Sequence, residues 1–168
     1  MEQIKKPNFE RAKQEALNLL EYCGYKKPPV DPMQICRELN IGFSFRKFTT
    51  EETKKISGFF YAKENMICVN VEEAITRQFF TAAHELGHKI LHEDYIKSKD
   101  YKILYRNSFP ISDPYEQEAN TFAANLLIPK FMLDEYFSPR ANYSELAKIF
   151  CVSEEFLSNR IRFLYVRK

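Results

Sequence analysis

All three histidines of the chain, His84, His88 and His92, fall in one stretch with helical patterning. His84 and His88 are one helical turn apart, about 6 Å along the axis, so both imidazoles leave the same face and can converge on one cation. Glu85 follows the first of them, where its carboxylate can reach an open coordination position without being a ligand. This set suits hydrolysis. A zinc ion lowers the pKa of its water towards about 7 and polarises a carbonyl, while the glutamate takes the water's proton and passes it to a leaving amine. His92 lies a further turn on, outside that cation's reach. Interaction with the C-terminal end of its helix, or a hydrogen bond to a nearby carboxylate, is its expected role.

The plain alternative is a pair of polar histidines on a solvated helix face. The flanks argue against it: Phe79, Phe80, Ala82, Ala83, Leu86, Ile90 and Leu91 make the segment nearly apolar, a central helix whose polar groups need a partner. Two histidines hold zinc weakly, and a third protein ligand is expected. The segment Glu116-Gln117-Glu118-Ala119-Asn120 offers it. Glu116 and Asn120 share a helix face, so a carboxylate ligand could be accompanied by an outer amide, with Glu118 pointing elsewhere. Asp113-Pro114-Tyr115-Glu116 also spells a capping box, and local physics leaves Glu116 open between the two roles.

The elements that must position these residues follow from periodicity. Apolar positions from Phe9 to Cys23 recur at helical spacing and end at Gly24, and Asp31 caps a second helix from Pro32 through Leu39. Ile41 to Phe48 alternates as a half-buried strand, and Ser57–Ala62 and Met66–Val71 read as an antiparallel hairpin around Lys63-Glu64-Asn65. Helices follow over Ile75 to about His92, Pro114–Leu127, a short piece after Pro129, Tyr143–Phe150 and Glu154–Leu164. Strands early and helices late mean an α+β domain. The polar connection from Glu93 to Asp113 is long for a compact domain, a size often found in lids. The hairpin could also offer an edge strand to an extended peptide.

With 168 residues, 45% of them hydrophobic, one domain over 1–168 is expected, with 142–168 as a C-terminal helical pair packed on it. A net charge of +2 gives no electrostatic reason for a nucleic-acid or membrane partner. The start lacks the apolar core of a signal peptide and no apolar run approaches a membrane span, so the expected compartment is the cytoplasm. Cys23, Cys36, Cys68 and Cys151 are scattered singly, which argues for small apolar filler over a zinc knuckle or a redox pair.

Phe79-Phe80-Thr81-Ala82-Ala83-His84-Glu85-Leu86-Gly87-His88-Lys89-Ile90-Leu91-His92, together with Glu116-Gln117-Glu118-Ala119-Asn120-Thr121-Phe122-Ala123-Ala124-Asn125-Leu126-Leu127-Ile128-Pro129, resembles the ImmA/IrrE family of metallopeptidases. The resemblance implies a zincin-like, gluzincin-type fold with a small antiparallel sheet. It implies two helix histidines and the first acidic residue of the downstream motif as ligands, which maps to Glu116. It further implies cleavage of helix-turn-helix repressors of the Xre type, releasing mobile-element, prophage or stress genes, and a short, mobile-element member without the sensor-like domain of larger relatives. Zinc is the expected metal, with manganese or iron left open.

Tyr143 to Arg162, with Leu146-Ala147 and Val152-Ser153, looks like a helix-turn-helix, with Cys151 where the turn prefers glycine. Its charges are mixed: Glu145, Glu154 and Glu155 offset Lys148, Arg160 and Arg162. Packing, or docking of a repressor, is favoured over base readout. Two rivals stand beside proteolysis: a DNA-binding regulator with a structural metal, and a metal-dependent sensor.

Overall fold

The computed structural model describes residues 6–50, 55–97, 104–105 and 113–166. Helix α1 (Phe9–Tyr22) starts where the Asn8 side chain accepts from Arg11 N–H at 3.0 Å, and buries Ala12, Ala16, Leu19 and Leu20. The chain leaves it through Gly24 at φ 72°, a left-handed conformation that glycine adopts without a Cβ penalty. Asp31 accepts from the Met33 and Gln34 amides and Pro32 opens α2 (Pro32–Glu38), as expected.

Strands β1 (Gly42–Arg46), β2 (Ile56–Tyr61), β3 (Met66–Asn70) and β4 (Leu104–Tyr105) form one sheet in the order β1-β3-β2-β4. The β2–β3 hairpin is antiparallel, with Gly58 opposite Val69, but β1 runs parallel to β3, with Gly42 opposite Met66. The sheet is therefore mixed, which corrects the antiparallel expectation. Alternation reports which face a side chain takes and says nothing of which strand lies alongside. Here β3 returns between β1 and β2 and so shares the direction of β1. The hairpin offers no outer strand along Ile56–Gly58, because β4 pairs there. Of the Glu93–Asp113 connection, α4 (Glu93–Lys97), β4 and Asp113 are described, and 98–103 and 106–112 lie outside the described residues.

Helix α3 (Ile75–Leu91) packs on β2 and β3 and on α5 (Pro114–Leu127), and α1 lies against α5 as well. Two close approaches set these contacts. A Cβ on Gly58 would lie 2.5 Å from Thr81 Cγ2 and 2.6 Å from the Cys68 carbonyl, and one on Gly87 would lie 3.0 Å from Phe122 Cδ1. Glycine thus lets the sheet and α5 press onto α3 from both sides. Ala83, Leu86, Phe122, Leu126, Leu20, Ile67, Phe150 and Leu157 belong to one buried cluster.

The chain then forms α6 (Lys130–Tyr136), α7 (Tyr143–Phe150) and α8 (Glu154–Ile161). Cys151 joins the last two in the left-handed conformation, φ 55°, which explains why glycine is favoured at such a turn. Arg160 is buried: its Nη2 donates to Asn125 Oδ1 at 2.6 Å and its Nε to the Ile128 carbonyl at 3.1 Å. These bonds tie α8 to the end of α5. Cys36 and Cys68 are buried and all four cysteines are free thiols, and burial pushes the Cys36 thiol up to about 12.

Candidate metal centre

Almost the whole of α3 from Gln78 to His88 is buried, because the sheet covers one side and α5 the other. His84, Glu85 and His88 are each fully enclosed, at 0% exposure. Burying three polar side chains in succession costs stability unless they find partners. Helix α5 supplies them. Glu116 Oε2 lies 3.3 Å from His84 Nε2, Glu116 Oε1 lies 3.1 Å from His88 Nε2, and the two Nε2 atoms are 3.1 Å apart. One ligand atom from each of the three residues falls within 4.8 Å of the others, a span that one ion can bridge.

The donor set fits a metal on two observations. His84 Nδ1 donates to Asn120 Oδ1 at 2.9 Å, so the neutral ring presents its Nε2 lone pair to the cluster. Glu116 Oε1 is buried and makes no hydrogen bond of good geometry, although His88 Nε2 is close. Carboxylate oxygen and imidazole nitrogen facing one another without a well-formed hydrogen bond is what a shared cation would satisfy.

Electrostatics point the same way. Burial opposes charge on His84, but Glu116, Glu85 and Asn120 outweigh it and its pKa lies above the ordinary value. At His88 burial wins over Glu116, with repulsion from His84 and His92 added, and the pKa falls to about 4. Burial alone would raise Glu116, yet the two imidazoles hold its carboxyl well below the usual carboxylate range. Glu116 is thus held ionised between the two imidazoles, as a divalent cation requires.

The structure thus brings His84, His88 and Glu116 together, with Asn120 on the outer nitrogen of His84 and Glu85 enclosed beside them. Asp113 caps α5 by accepting from Tyr115 N–H at 3.0 Å, while Glu116 turns to the histidines. His92 is not part of the three-residue group and turns its Nε2 to Glu118 Oε2 at 2.6 Å. Sequence reasoning did not find what Glu118 touches, although its two-residue offset from Glu116 placed it on another face of the helix. It also missed a cavity of about 500 Å³ beside the site, lined by Arg77, Phe80, Asn120, Phe156 and Asn159. Phe80 is 6.0 Å from the His84 ring and stacks edge-on against Phe156 of α8 at 5.2 Å. Only packing of α8 creates that wall.

Comparison with known proteins adds three findings. The profile of Peptidase_M78, described as IrrE N-terminal-like domain, matches residues 36–162. The chain is 34% identical over 95 residues to "Uncharacterized immunity region protein 2" of Bacillus phage phi105, across 55% of this chain and 58% of that protein. Its fold resembles that of a Mycobacterium tuberculosis transcriptional regulator with a TM-score of 0.67 at 13% identity, covering 91% of this chain and 46% of the other. The chain therefore spans little more than half of the first relative and less than half of the second, and the second likeness speaks for the fold alone. Among the described residues no helix is long and apolar enough to cross a membrane.

Proposed function

This chain belongs to the Peptidase_M78 family, the IrrE N-terminal-like domain, and from that premise we propose that it is a zinc-dependent endopeptidase with a gluzincin-type, zincin-like arrangement. His84, His88 and Glu116 are the ligands, Glu85 is the general base, and Asn120 orients His84 from outside. The observation that carries this reading is the enclosed meeting of two imidazole nitrogens and one carboxylate across two helices. The same donors would also accept manganese or iron(II).

Bound there, zinc would supply Lewis acidity for the scissile carbonyl and a water acidified to a pKa of about 7. Glu85 receives the proton of the attacking water and delivers it to the departing amine, work that the enclosed carboxylate can do once a substrate displaces bulk solvent. Asn120 holds the His84 ring so that its Nε2 faces inward. The cavity that Phe80 and Phe156 help to line gives a substrate side chain a largely apolar place next to His84.

The substrate we propose is a helix-turn-helix repressor of the Xre type, cut in the cytoplasm to release mobile-element or prophage genes. The likeness to an immunity-region protein of a phage supports that setting. Residues 1–168 act as one domain, with the pair α7–α8 as a docking and packing element that resembles a helix-turn-helix. Commitment of Arg160 to the interior favours this over base readout.

The test is incubation of the zinc-loaded protein with the repressor encoded beside its gene, with fragments mapped by mass. Cleavage is expected, and Glu85→Gln should retain zinc while losing on the order of 10²–10⁴ in rate. A regulator that acts by binding alone would leave the repressor intact and the Glu85→Gln protein unchanged in its regulation, and that result would overturn the proposal.

A further inference from the structure

His92 and Glu118 are absent from the ligand set, yet they form a buried line that ends on a ligand. Glu118 is 1% exposed and His92 is 4% exposed. Glu118 Oε1 accepts from the Asn8 amide of the α1 cap at 2.7 Å, and its Oε2 is 2.6 Å from His92 Nε2. His92 Nδ1 is in turn 3.2 Å from His88 Nδ1, whose Nε2 faces the cluster. Stacked Tyr95 and Tyr115, with ring centroids 4.2 Å apart, flank the His92 ring, and the Tyr115 edge contact at 5.0 Å holds its plane.

Hydrogen-bond accounting sets the direction of this line. A carboxylate accepts only, and an amide donor on one oxygen favours its ionised form, so the proton between Glu118 and His92 belongs to Nε2 of the imidazole. With His92 neutral, its Nδ1 carries a lone pair, whereas an imidazolium there would donate to His88 Nδ1 and repel a cation at the cluster. The 3.2 Å contact between the two Nδ1 atoms needs one donor, which must be His88 Nδ1–H. That leaves His88 Nε2 unprotonated, the state a metal ligand requires. The opposite direction would place the His88 proton on Nε2, against His84 Nε2, and exclude a cation.

We propose that Glu118 and His92 are positioning residues that hold His88 in its metal-ligating tautomer, as Asn120 does for His84, with the cap of α1 anchoring the outer end of the line. The inference rests on the metal-site reading above and extends it. The two ligand histidines are then oriented by different means, an amide for one and an imidazole–carboxylate pair for the other. The second raises ligand basicity as well as fixing the ring, and outer partners of this kind are worth about 10–100-fold in metal affinity.

The experiment has two readouts on the zinc-loaded protein. Two-bond proton–nitrogen correlation of the histidine rings should find His92 protonated at Nε2 with a bare Nδ1, and His88 protonated at Nδ1. Chelator competition should show zinc bound about 10–100-fold more weakly in Glu118→Gln and in His92→Phe. Glu118→Asp should recover part of the loss, which a merely structural role would not predict when all variants melt alike. A protein that takes up no stoichiometric zinc fails the metal reading itself, and the relay with it. Zinc bound at wild-type affinity by folded His92→Phe, or a His92 protonated at Nδ1 in the wild type, overturns the relay and leaves the metal site standing. The tautomer measurement needs no variant, so poor folding of one does not shield the proposal.

Discussion

Replacing Gly58 by alanine tests how the sheet positions the site. The added Cβ would lie 2.5 Å from Thr81 Cγ2 and 2.6 Å from the Cys68 carbonyl oxygen, where carbon contacts normally settle near 3.5–4.0 Å. About 1 Å must be found. Neither neighbour yields readily: Thr81 is a β-branched residue buried on α3, and Cys68 is locked into the β2–β3 ladder opposite Phe59. Overpacking of this sort costs about 1–3 kcal/mol. For a chain of this size that is about 2–4 °C per kcal/mol, so a melting temperature lowered by between about 2 and 12 °C. Thr81 precedes Glu85 by one turn on α3, so relief by movement of α3 also displaces the proposed base. A misplacement of about 1 Å can cost about 10²-fold in rate. Urea unfolding gives the stability, and cleavage of a mapped substrate gives the rate. Thr81→Ser in the Gly58→Ala background removes the nearer contact and leaves the carbonyl, so it should restore part of the stability and not all of it. A Gly58→Ala protein within about 0.5 kcal/mol of wild type would refute the close approach of sheet and helix.

Glu116→Ala removes the carboxylate that reaches both His84 and His88 and should abolish stoichiometric zinc after dialysis against a weak chelator; retention of one zinc per chain would exclude it as ligand. Zinc affinity should depend on pH in a fixed direction. His84 holds its proton above the ordinary imidazole value, so zinc must displace that proton at mildly acid pH. Affinity should therefore fall by about tenfold per pH unit as pH drops below the His84 pKa, and steepen only near about 4, where His88 begins to take a proton. A flat affinity from about pH 5 to neutrality, measured by chelator competition, would contradict this ordering. Arg160→Met should destabilise the fold by about 2–4 kcal/mol in urea, because two charge-assisted bonds to Asn125 and the Ile128 carbonyl are lost together. A neutral result would mean that the guanidinium is not committed to the interior.

Much of this molecule is written in local pattern. Asn8, Asp31, Asp113 and Asn142 each cap the helix that follows them, and α5 and α7 begin and end where their periodicity begins and ends. The convergence of His84 and His88 needs nothing beyond the pitch of one helix, and for that reason it was legible before any fold was known. Parallel β1, the short β4 strand and the burial of Arg160 were not legible, since each depends on which distant segment arrives alongside. A strand's alternation does not name its neighbour, and an arginine's charge does not reveal that Asn125 and a helix-end carbonyl will enclose it.

The candidate site divides along the same line. Glu116 and Glu118 are two residues apart, about 200° around α5, and the local sequence left Glu116 open between a capping role and a ligand role. Family resemblance favoured Glu116. The physical reason lies in the rotation of α5 on α3, set where Phe122 presses against Gly87. That rotation turns Glu116 towards His84 and His88 and sends Glu118 to His92 and the Asn8 cap. Spacing along one helix is determined by covalent geometry and hydrogen bonding within it. Which carboxylate meets which histidine is determined by how two helices pack, and only the tertiary structure contains that angle.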